Sequence, residues 1–338
     1  MNKIFRLLVL FLFVGTGFGQ EPVNFGWVKP TEQQRALAEN STSRAQLEEL
    51  VKYADDSNAF LYRYLYKTLK DSNLLSQEEL DSGRLNSLNQ GSVGSCVGYS
   101  STNMIEITYA CNIALRKEMM QIWKARVNPD AVYAIGRLGN LGGWDGSSAG
   151  WSVENLQKYG SLFRLQYDNY DLRNTQPTQG REWARIGVPK PLLEVAANHK
   201  ALNYVQVKTV EEAKALIQNG YAVVTGAQAS YPNTRDKLAF SKRNGTSWSH
   251  ALNFHSYRNA ASGREGFLCQ NSWDDWNNGP IYPEDMPIGS FWVTPEDLQF
   301  HLNQGDAYSI SDYQGFKRRN LKFEEIFKIG EEINVEDN

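Results

Sequence analysis

The chain divides into a helical first half and a strand-rich second half, which predicts an α+β fold of two lobes. Three observations carry that prediction. Between Ser43 and Lys70 the apolar residues Leu47, Leu50, Val51, Ala54, Phe60, Leu61, Tyr64 and Leu65 recur at helical spacing. From Cys96 the run Val97, Met104, Ile105, Ile107, Tyr109, Ala110, Ile113 and Ala114 is apolar on more than one face, as in a buried helix. Beyond Gly220 the pattern changes to short runs rich in β-forming residues: Tyr221–Thr225, His250–Tyr257, Gly266–Cys269 and Ser290–Thr294.

The first residues, Met1 to Arg6, carry two positive charges and lead into the apolar run Leu7 to Val14, which ends in small residues up to Gly19. This reads as a secretory signal over 1–19, too short for a membrane span, and places the mature chain outside the cell membrane, secreted or periplasmic. Residues 20–75 form a helical extension that fits either a removable pro-segment or a permanent buttress. Ser43 with Gln46 fits a capping box, and Asp55-Asp56-Ser57-Asn58 breaks the segment into two helices. A helical lobe is expected over 76–200 and a strand-rich lobe over 201–312. In the first of these, Gly94-Ser95 supplies the turn into the Cys96 helix, and Ser152 with Asn155 opens a short helix that Gly160 stops. In the second, Thr209-Val210-Glu211-Glu212 opens a helix that ends at Gly220. The charged tail, 313–338, has a short amphipathic helix around Phe323–Ile329.

Composition narrows the partners. Of 338 residues 41% are hydrophobic, enough for a full core, and the formal charge is −3 with no basic block interleaved with aromatics, so no nucleic-acid groove is expected. No histidine or carboxylate cluster has ligand spacing, so neither a metal nor a cofactor is expected. An exported chain with Cys96, Cys111 and Cys269 holds at most one disulfide and leaves one thiol over. Cys111 and Cys269 read as small buried hydrophobes. Cys96 has the context of a reagent.

That context is Gln90-Gly91-Ser92-Val93-Gly94-Ser95-Cys96, followed by Ser249-His250-Ala251-Leu252 and by Gln270-Asn271-Ser272-Trp273. A cysteine at the first turn of a helix feels the positive end of the backbone dipole, and a neighbouring imidazolium favours its thiolate further. His250 is the candidate partner. Asn271 ends the next strand, where its amide oxygen can accept from the ring N–H and fix the tautomer, and Trp273 can shield that bond. The backbone N–H of Cys96 and the side-chain amide of Gln90 are suitable donors to a developing oxyanion. Singly, each piece is an ordinary packing residue. Their joint occurrence in this order points to thiolate attack on a carbonyl. His255 follows His250 by an odd number of strand residues and is expected on the opposite face, in the core or at the surface; His199 and His301 stand outside any motif.

These motifs resemble those of the papain family of cysteine proteases, whose Gln-Gly-x-Cys-Gly-Ser-Cys-Trp, His-Ala-Val and Asn-Ser-Trp are similar to residues 90–97, 250–252 and 271–273. Gly289-Ser290-Phe291-Trp292-Val293 is similar to the family's closing Gly-Tyr-Phe strand. The resemblance spans about residues 85 to 310. It implies a two-lobe fold, with a helical left lobe and a β-barrel-like antiparallel right lobe separated by an active-site cleft. It also implies peptide-bond hydrolysis by Cys96, His250, Asn271 and Gln90 on a protein or peptide substrate. Asn140-Leu141-Gly142-Gly143-Trp144 resembles the stretch whose backbone edge pairs with extended substrate, so Gly142, Gly143, Trp144 and Ala251 are implied as substrate-binding residues. Val93 stands where the family has a disulfide cysteine, Val97 where it has tryptophan, and Asp274-Asp275-Trp276 departs from its Gly and second Trp. A catalytically silent protein of the same fold, serving a surface or particle assembly, is the alternative.

Overall fold

The computed structural model describes residues 23–32, 41–115, 123–311, 315–319 and 321. The expected signal over 1–19 and the expected helix at Phe323–Ile329 lie outside the described residues.

In chain order the elements are β1 (Val23–Asn24), α1 (Ser41–Val51), β2 (Ala59–Phe60), α2 (Leu61–Asp71), α3 (Gln77–Ser82), α4 (Cys96–Leu115), α5 (Pro129–Gly136), α6 (Ala149–Tyr159), β3 (Gln166–Tyr167), β4 (Tyr170–Asp171), α7 (Pro177–Ile186) and α8 (Lys190–Ala196). There follow β5 (Asn203–Gln206), α9 (Val210–Gln218), β6 (Val223–Ser230), β7 (Gly245–Arg258), β8 (Gly266–Gln270), β9 (Ser290–Val293), α10 (Pro295–Leu302) and β10 (Ala307–Ser311).

The main sheet runs β5-β10-β6-β7-β8-β9, with β1 and β2 also pairing with β7. Along that path every pairing is antiparallel; β1 alone joins β7 in parallel. The expected barrel-like lobe is corrected here: the sheet is open, since β5 and β9 end the path without pairing to each other. Strand β7 is its spine. From His250 to Arg258 each residue of β7 is buried, which is why that stretch lacks the alternation of a one-sided strand. Helix α4 lies against it, and Ser100 Oγ donates to the Ala251 carbonyl at 3.0 Å.

One large apolar core joins α4 to the sheet and takes in Leu47, Leu50, Leu61, Tyr62, Leu65 and Leu69 from α1 and α2. Ion pairs tie those helices down at their rims, Arg44 to Glu212 and Arg63 to Asp285, each at 2.6 Å. A second cluster, built on Ala131, Ile135, Leu162, Trp183 and Leu192, joins α5 to α7 and α8.

Several local expectations change. Helix α6 starts at Ala149, not Ser152, because Ser148 is extended and its hydroxyl accepts from Trp151 N. Ser43 lies inside α1, and Gln46 turns away to accept from Phe316 N at 2.8 Å, so no capping box forms. The short strands β5 and β10 and the helices α3, α5, α8 and α10 carry no strong periodic signal; their partners in the fold define them.

Candidate active site

The segment Gln90–Ser95 delivers Cys96 to the first turn of α4. Gln90 is fixed from both ends: its backbone N donates to Ser272 O at 3.0 Å, and its side-chain oxygen accepts from Ser272 Oγ at 2.6 Å. Asp145 backs the turn, accepting from Gly94 N at 3.4 Å while it pairs with Arg181 at 2.7 Å. Gly98, one turn into α4, lies against the backbone of Tyr133, so α5 can press close beneath the cysteine. All three cysteines are buried.

The opposite wall comes from β7 and the end of β8. His250 Nε2 lies 2.8 Å from Asn271 Oδ1, and the same oxygen accepts from Ser272 N at 2.7 Å. A backbone N–H can only donate, so Oδ1 is the acceptor in both bonds and the neutral ring carries its proton on Nε2. That leaves Nδ1 with a free lone pair, and this nitrogen is buried without a hydrogen-bond partner. Trp273 stacks on the imidazole at 4.4 Å and 25°, covering the His250–Asn271 bond. Trp248 closes the edge at 6.2 Å.

Between the two walls runs a segment that no motif or periodicity marks for that place. Residues Val23–Val28 form a strap. Its first residues pair with Trp248 and Ser249 of β7, and Phe25 N donates to Ser249 O at 2.9 Å. Farther on, Val28 N donates to Ser147 O at 2.7 Å and Ser147 N to Gly26 O at 2.8 Å. Gly26 has φ of 118° and faces Gly94 so closely that a Cβ would collide with the Gly94 carbonyl. Phe25 sits edge-on to His250 at 5.6 Å. Its carbonyl accepts from Gln90 Nε2 at 2.9 Å, and the same nitrogen reaches Val93 O at 2.8 Å. Trp27 enters a pocket beside the cysteine, in one apolar cluster with Cys96, Val97 and Ala251, and its Nε1 donates to Asp306 Oδ2 at 2.7 Å.

The strap decides the electrostatics. Cys96 is 0% exposed, and burial pushes its thiol up to about 12; nearby N–H groups of Ala251, Val97 and Cys96 itself pull weakly the other way, and the Asp306 carboxylate raises it further. Burial holds His250 down at about 4, opposed only by its bond to Asn271. Both groups are therefore neutral near pH 7. The expected thiolate–imidazolium pair is corrected for this state: water is excluded from the thiol, and the desolvation penalty outweighs the helix dipole.

The implied substrate residues divide. Ala251 lies in the Trp27 pocket, whereas the main-chain edge that meets an extended segment is Ser147, downstream of Gly142, Gly143 and Trp144. That loop is fixed by Arg137, whose guanidinium donates to the carbonyls of Asn140, Trp144 and Gly146 and lies 3.9 Å from the Trp144 ring. His255 is in the core, edge-on to Tyr62 at 6.0 Å. His199 packs on Phe163, and His301 is held between Thr225 and Tyr231. Phe25, Trp27, Ser147 and Asp306 went unrecognised in the sequence. Trp27 and Asp306 sit beside Gly26 and Gly305, but no motif marks either. Among the described residues no group of histidine, cysteine and carboxylate side chains is gathered as a metal ion would need, and no helix is long and apolar enough to cross a membrane.

Comparison with known proteins rests on structure. The chain matches no family model and none of the curated proteins by sequence. Among solved structures it is similar to xylellain, a cysteine protease from Xylella fastidiosa, with TM-score 0.54 and 16% identity, over 89% of this chain and 100% of that one. The chain has the papain-like fold. Digestive procathepsin L 3 of Tenebrio molitor larval midgut also matches, at TM-score 0.42 and 14% identity over 78% of this chain and 79% of that one. So do the cysteine protease and lectin-like domains of Cwp84, a surface layer associated protein of Clostridium difficile, at 0.44 and 18% over 82% and 61%.

Proposed function

We propose that the protein is an exported cysteine endopeptidase held latent by its own strap. One observation carries the reading: His250, fixed by Asn271 and covered by Trp273, keeps Nδ1 without a partner, and its neighbour in β7, Ala251, packs with Cys96. A buried ring nitrogen with no hydrogen bond costs stability, and such a cost persists where the atom has a use.

With the strap lifted, water reaches the cleft and the desolvation that keeps both groups neutral is relieved. The Cys96 proton passes to His250 Nδ1, and the thiolate sulfur attacks the scissile carbonyl carbon. The tetrahedral oxyanion takes the Cys96 N–H and the Gln90 Nε2–H that the Phe25 carbonyl now occupies. Collapse breaks the C–N bond as His250 returns its proton to the leaving amine. Water, with His250 as base, then hydrolyses the thioester and frees Cys96. Peptide or protein is the substrate, and the chain is exported through its first 19 residues. Helices α1 and α2 stay as a buttress, because their removal would bare Leu47, Leu61 and Leu69 from the main core.

The test is turnover of a fluorogenic peptide library by the full chain carrying Gly26→Ala, beside the same chain carrying Cys96→Ala as well. Cleavage by the first and none by the second supports the reading; equal turnover removes it. N-terminal sequencing of the protein recovered outside the cells tests export, and an intact Met1 sinks that part.

A second reading, a silent papain-like binding protein, draws on the sealing of Cys96 by Trp27 and a thiol held at about 12. It expects Gly26→Ala to expose the cysteine without yielding any peptide cleavage.

A further inference from the structure

We infer that Asp145 and Arg181 are positioning residues of the candidate site: together they hold the Val93–Gly94 peptide plane in the one orientation that aims the Gln90 amide at an oxyanion. The inference rests on the peptidase reading and goes beyond it, to two side chains outside the set of Cys96, His250, Asn271 and Gln90.

The turn Ser92–Gly94 is gripped on both flanks. Arg181 of α7 donates through Nη2 to Ser92 O at 3.3 Å, and the same guanidinium meets the Asp145 carboxylate through Nε at 2.9 Å and Nη2 at 2.7 Å. Asp145 Oδ2 in turn accepts from Gly94 N at 3.4 Å. Between these contacts the Val93 side chain is buried against Tyr133 of α5 and Ala184 of α7. Position 94 has room for glycine only, since a Cβ there would lie 2.9 Å from the Asp145 Cβ. The two-point contact, with Asp145 22% and Arg181 31% exposed, sets this pair apart from a single-contact surface ion pair.

A peptide unit is planar and this one is trans, so Gly94 N–H and Val93 C=O, which belong to the same unit, point in opposite directions. Asp145 holds the first end. The second end serves the site, because Val93 O accepts from Gln90 Nε2 at 2.8 Å and from Ser95 N at 2.8 Å. One hydrogen of the Gln90 amide is fixed in this way, which aims the other at the place the Phe25 carbonyl takes in the closed cleft. Glycine accepts the positive φ that turning this plane over would bring, so residue 94 itself does not resist a flip. The carboxylate does. A flipped plane would set Val93 O against Asp145 Oδ2, oxygen facing oxygen, and would leave Gln90 Nε2 and Ser95 N without their shared acceptor. Arg181 keeps the carboxylate where it can act.

The experiment removes either side chain from the full chain, as Asp145→Ala or Arg181→Met. Arg173→Met, which breaks the exposed Arg173–Asp171 pair, is the control and should stay within about twofold in every reading. In the chain opened by Gly26→Ala, each of the first two substitutions should lower kcat for a fluorogenic peptide by about tenfold, with KM within about twofold, because the oxyanion forms only after binding. Alkylation of Cys96 by iodoacetamide builds no oxyanion and should change by less than about twofold. Unchanged kcat overturns the inference, and so does alkylation that slows as much as turnover, since the pair would then merely hold the fold. A second arm needs no catalysis. In the unopened chain carrying isotope-labelled glycine, hydrogen exchange at the Gly94 amide should quicken by about tenfold in Asp145→Ala and in Arg181→Met. Unchanged exchange in both overturns the inference whatever the turnover. If no variant cleaves any peptide, the peptidase reading fails, and the exchange arm alone decides whether the pair holds the plane.

Discussion

Two buried histidines, His250 in β7 and His301 packed on Thr225 of β6, show how differently the same side chain is used. His301 has both ring nitrogens engaged, Nδ1 with Thr225 Oγ1 at 3.1 Å and Nε2 with Tyr231 at 2.9 Å, and it stacks on Tyr231. His250 has one nitrogen engaged and one idle. Burial lowers both, His301 to about 3 and His250 to about 4, so pKa does not separate them. Satisfaction does. A histidine with every bond made holds a core together, while one with a single bond made and one ring nitrogen idle is open to another partner.

The largest effects should fall on opposite measurements at the two sites. In the chain opened by Gly26→Ala, His250→Ala or Cys96→Ala should lower kcat/KM by about 1,000-fold or more, with melting temperature little changed. His301→Phe should do the reverse, leaving kcat/KM within about threefold. It should cost roughly 2–4 kcal/mol of stability, because the hydroxyls of Thr225 and Tyr231 lose their partner. Urea unfolding and peptide turnover on the same samples decide it, and loss of turnover in both variants would dissolve the distinction.

Next in size is the release of the strap. Gly26→Ala places a methyl against the Gly94 carbonyl at a left-handed backbone position, which should cost the closed form about 3 kcal/mol. Alkylation of Cys96 at pH 7 should then speed up by about 100-fold over the unsubstituted chain. Val23→Ala, at the exposed start of the strap, should change it little. Equal rates in all three proteins would mean that the strap does not guard the thiol.

Acid should loosen the same contact more gently. His250 is held at about 4 while covered and returns toward its ordinary value near 6.5 when water reaches it, so the open form binds the extra proton. The closed form's advantage is intact above pH 6.5 and is lost as pH falls toward 4. Between pH 7.5 and 5 the shift is about 2 kcal/mol, roughly 25-fold in favour of the open form. Reaction with a disulfide reagent that does not itself require high pH should therefore hold or rise as pH falls to 5. A simple tenfold fall per pH step, the behaviour of an ordinary thiol, would break the linkage.

What the sequence could show of all this follows from the range of each signal. The helix from Cys96 and the strands carrying His250 and Asn271 were legible because each is a continuous run whose period or β-content exceeds the background. Their motifs sit at element ends, where a turn and a strand exit fix a side chain locally. The short elements such as β5 and β10 were not legible, since four or five residues between neighbours carry too little pattern. The strap was hidden for another reason. Gly26 and Trp27 belong to no periodic run, and their place is set by Gly94, Gly226 and Asp306, contacts that span 68 to 279 positions along the chain. The thiol follows the strap: the helix dipole and an imidazole favour a thiolate where water reaches it, and burial under the strap reverses the sign of the shift.

The smallest effect tests orientation at His250 against its counterpart at His301. Asn271→Ala removes the bond that raises the His250 pKa and fixes the ring, yet leaves Nδ1, the cysteine and Trp273 in place. In the opened chain kcat should fall by about tenfold, with KM nearly constant, because a freely turning imidazole spends less time aimed at the sulfur. The alkaline limb of kcat/KM should move to lower pH, since the imidazolium loses the acceptor that favoured it. Thr225→Val removes one partner of His301 in the same way and should move neither quantity. If Asn271→Ala lowers melting temperature but leaves the alkaline limb where it was, Asn271 serves the core as Thr225 does, and the two histidines are more alike than their hydrogen bonds suggest.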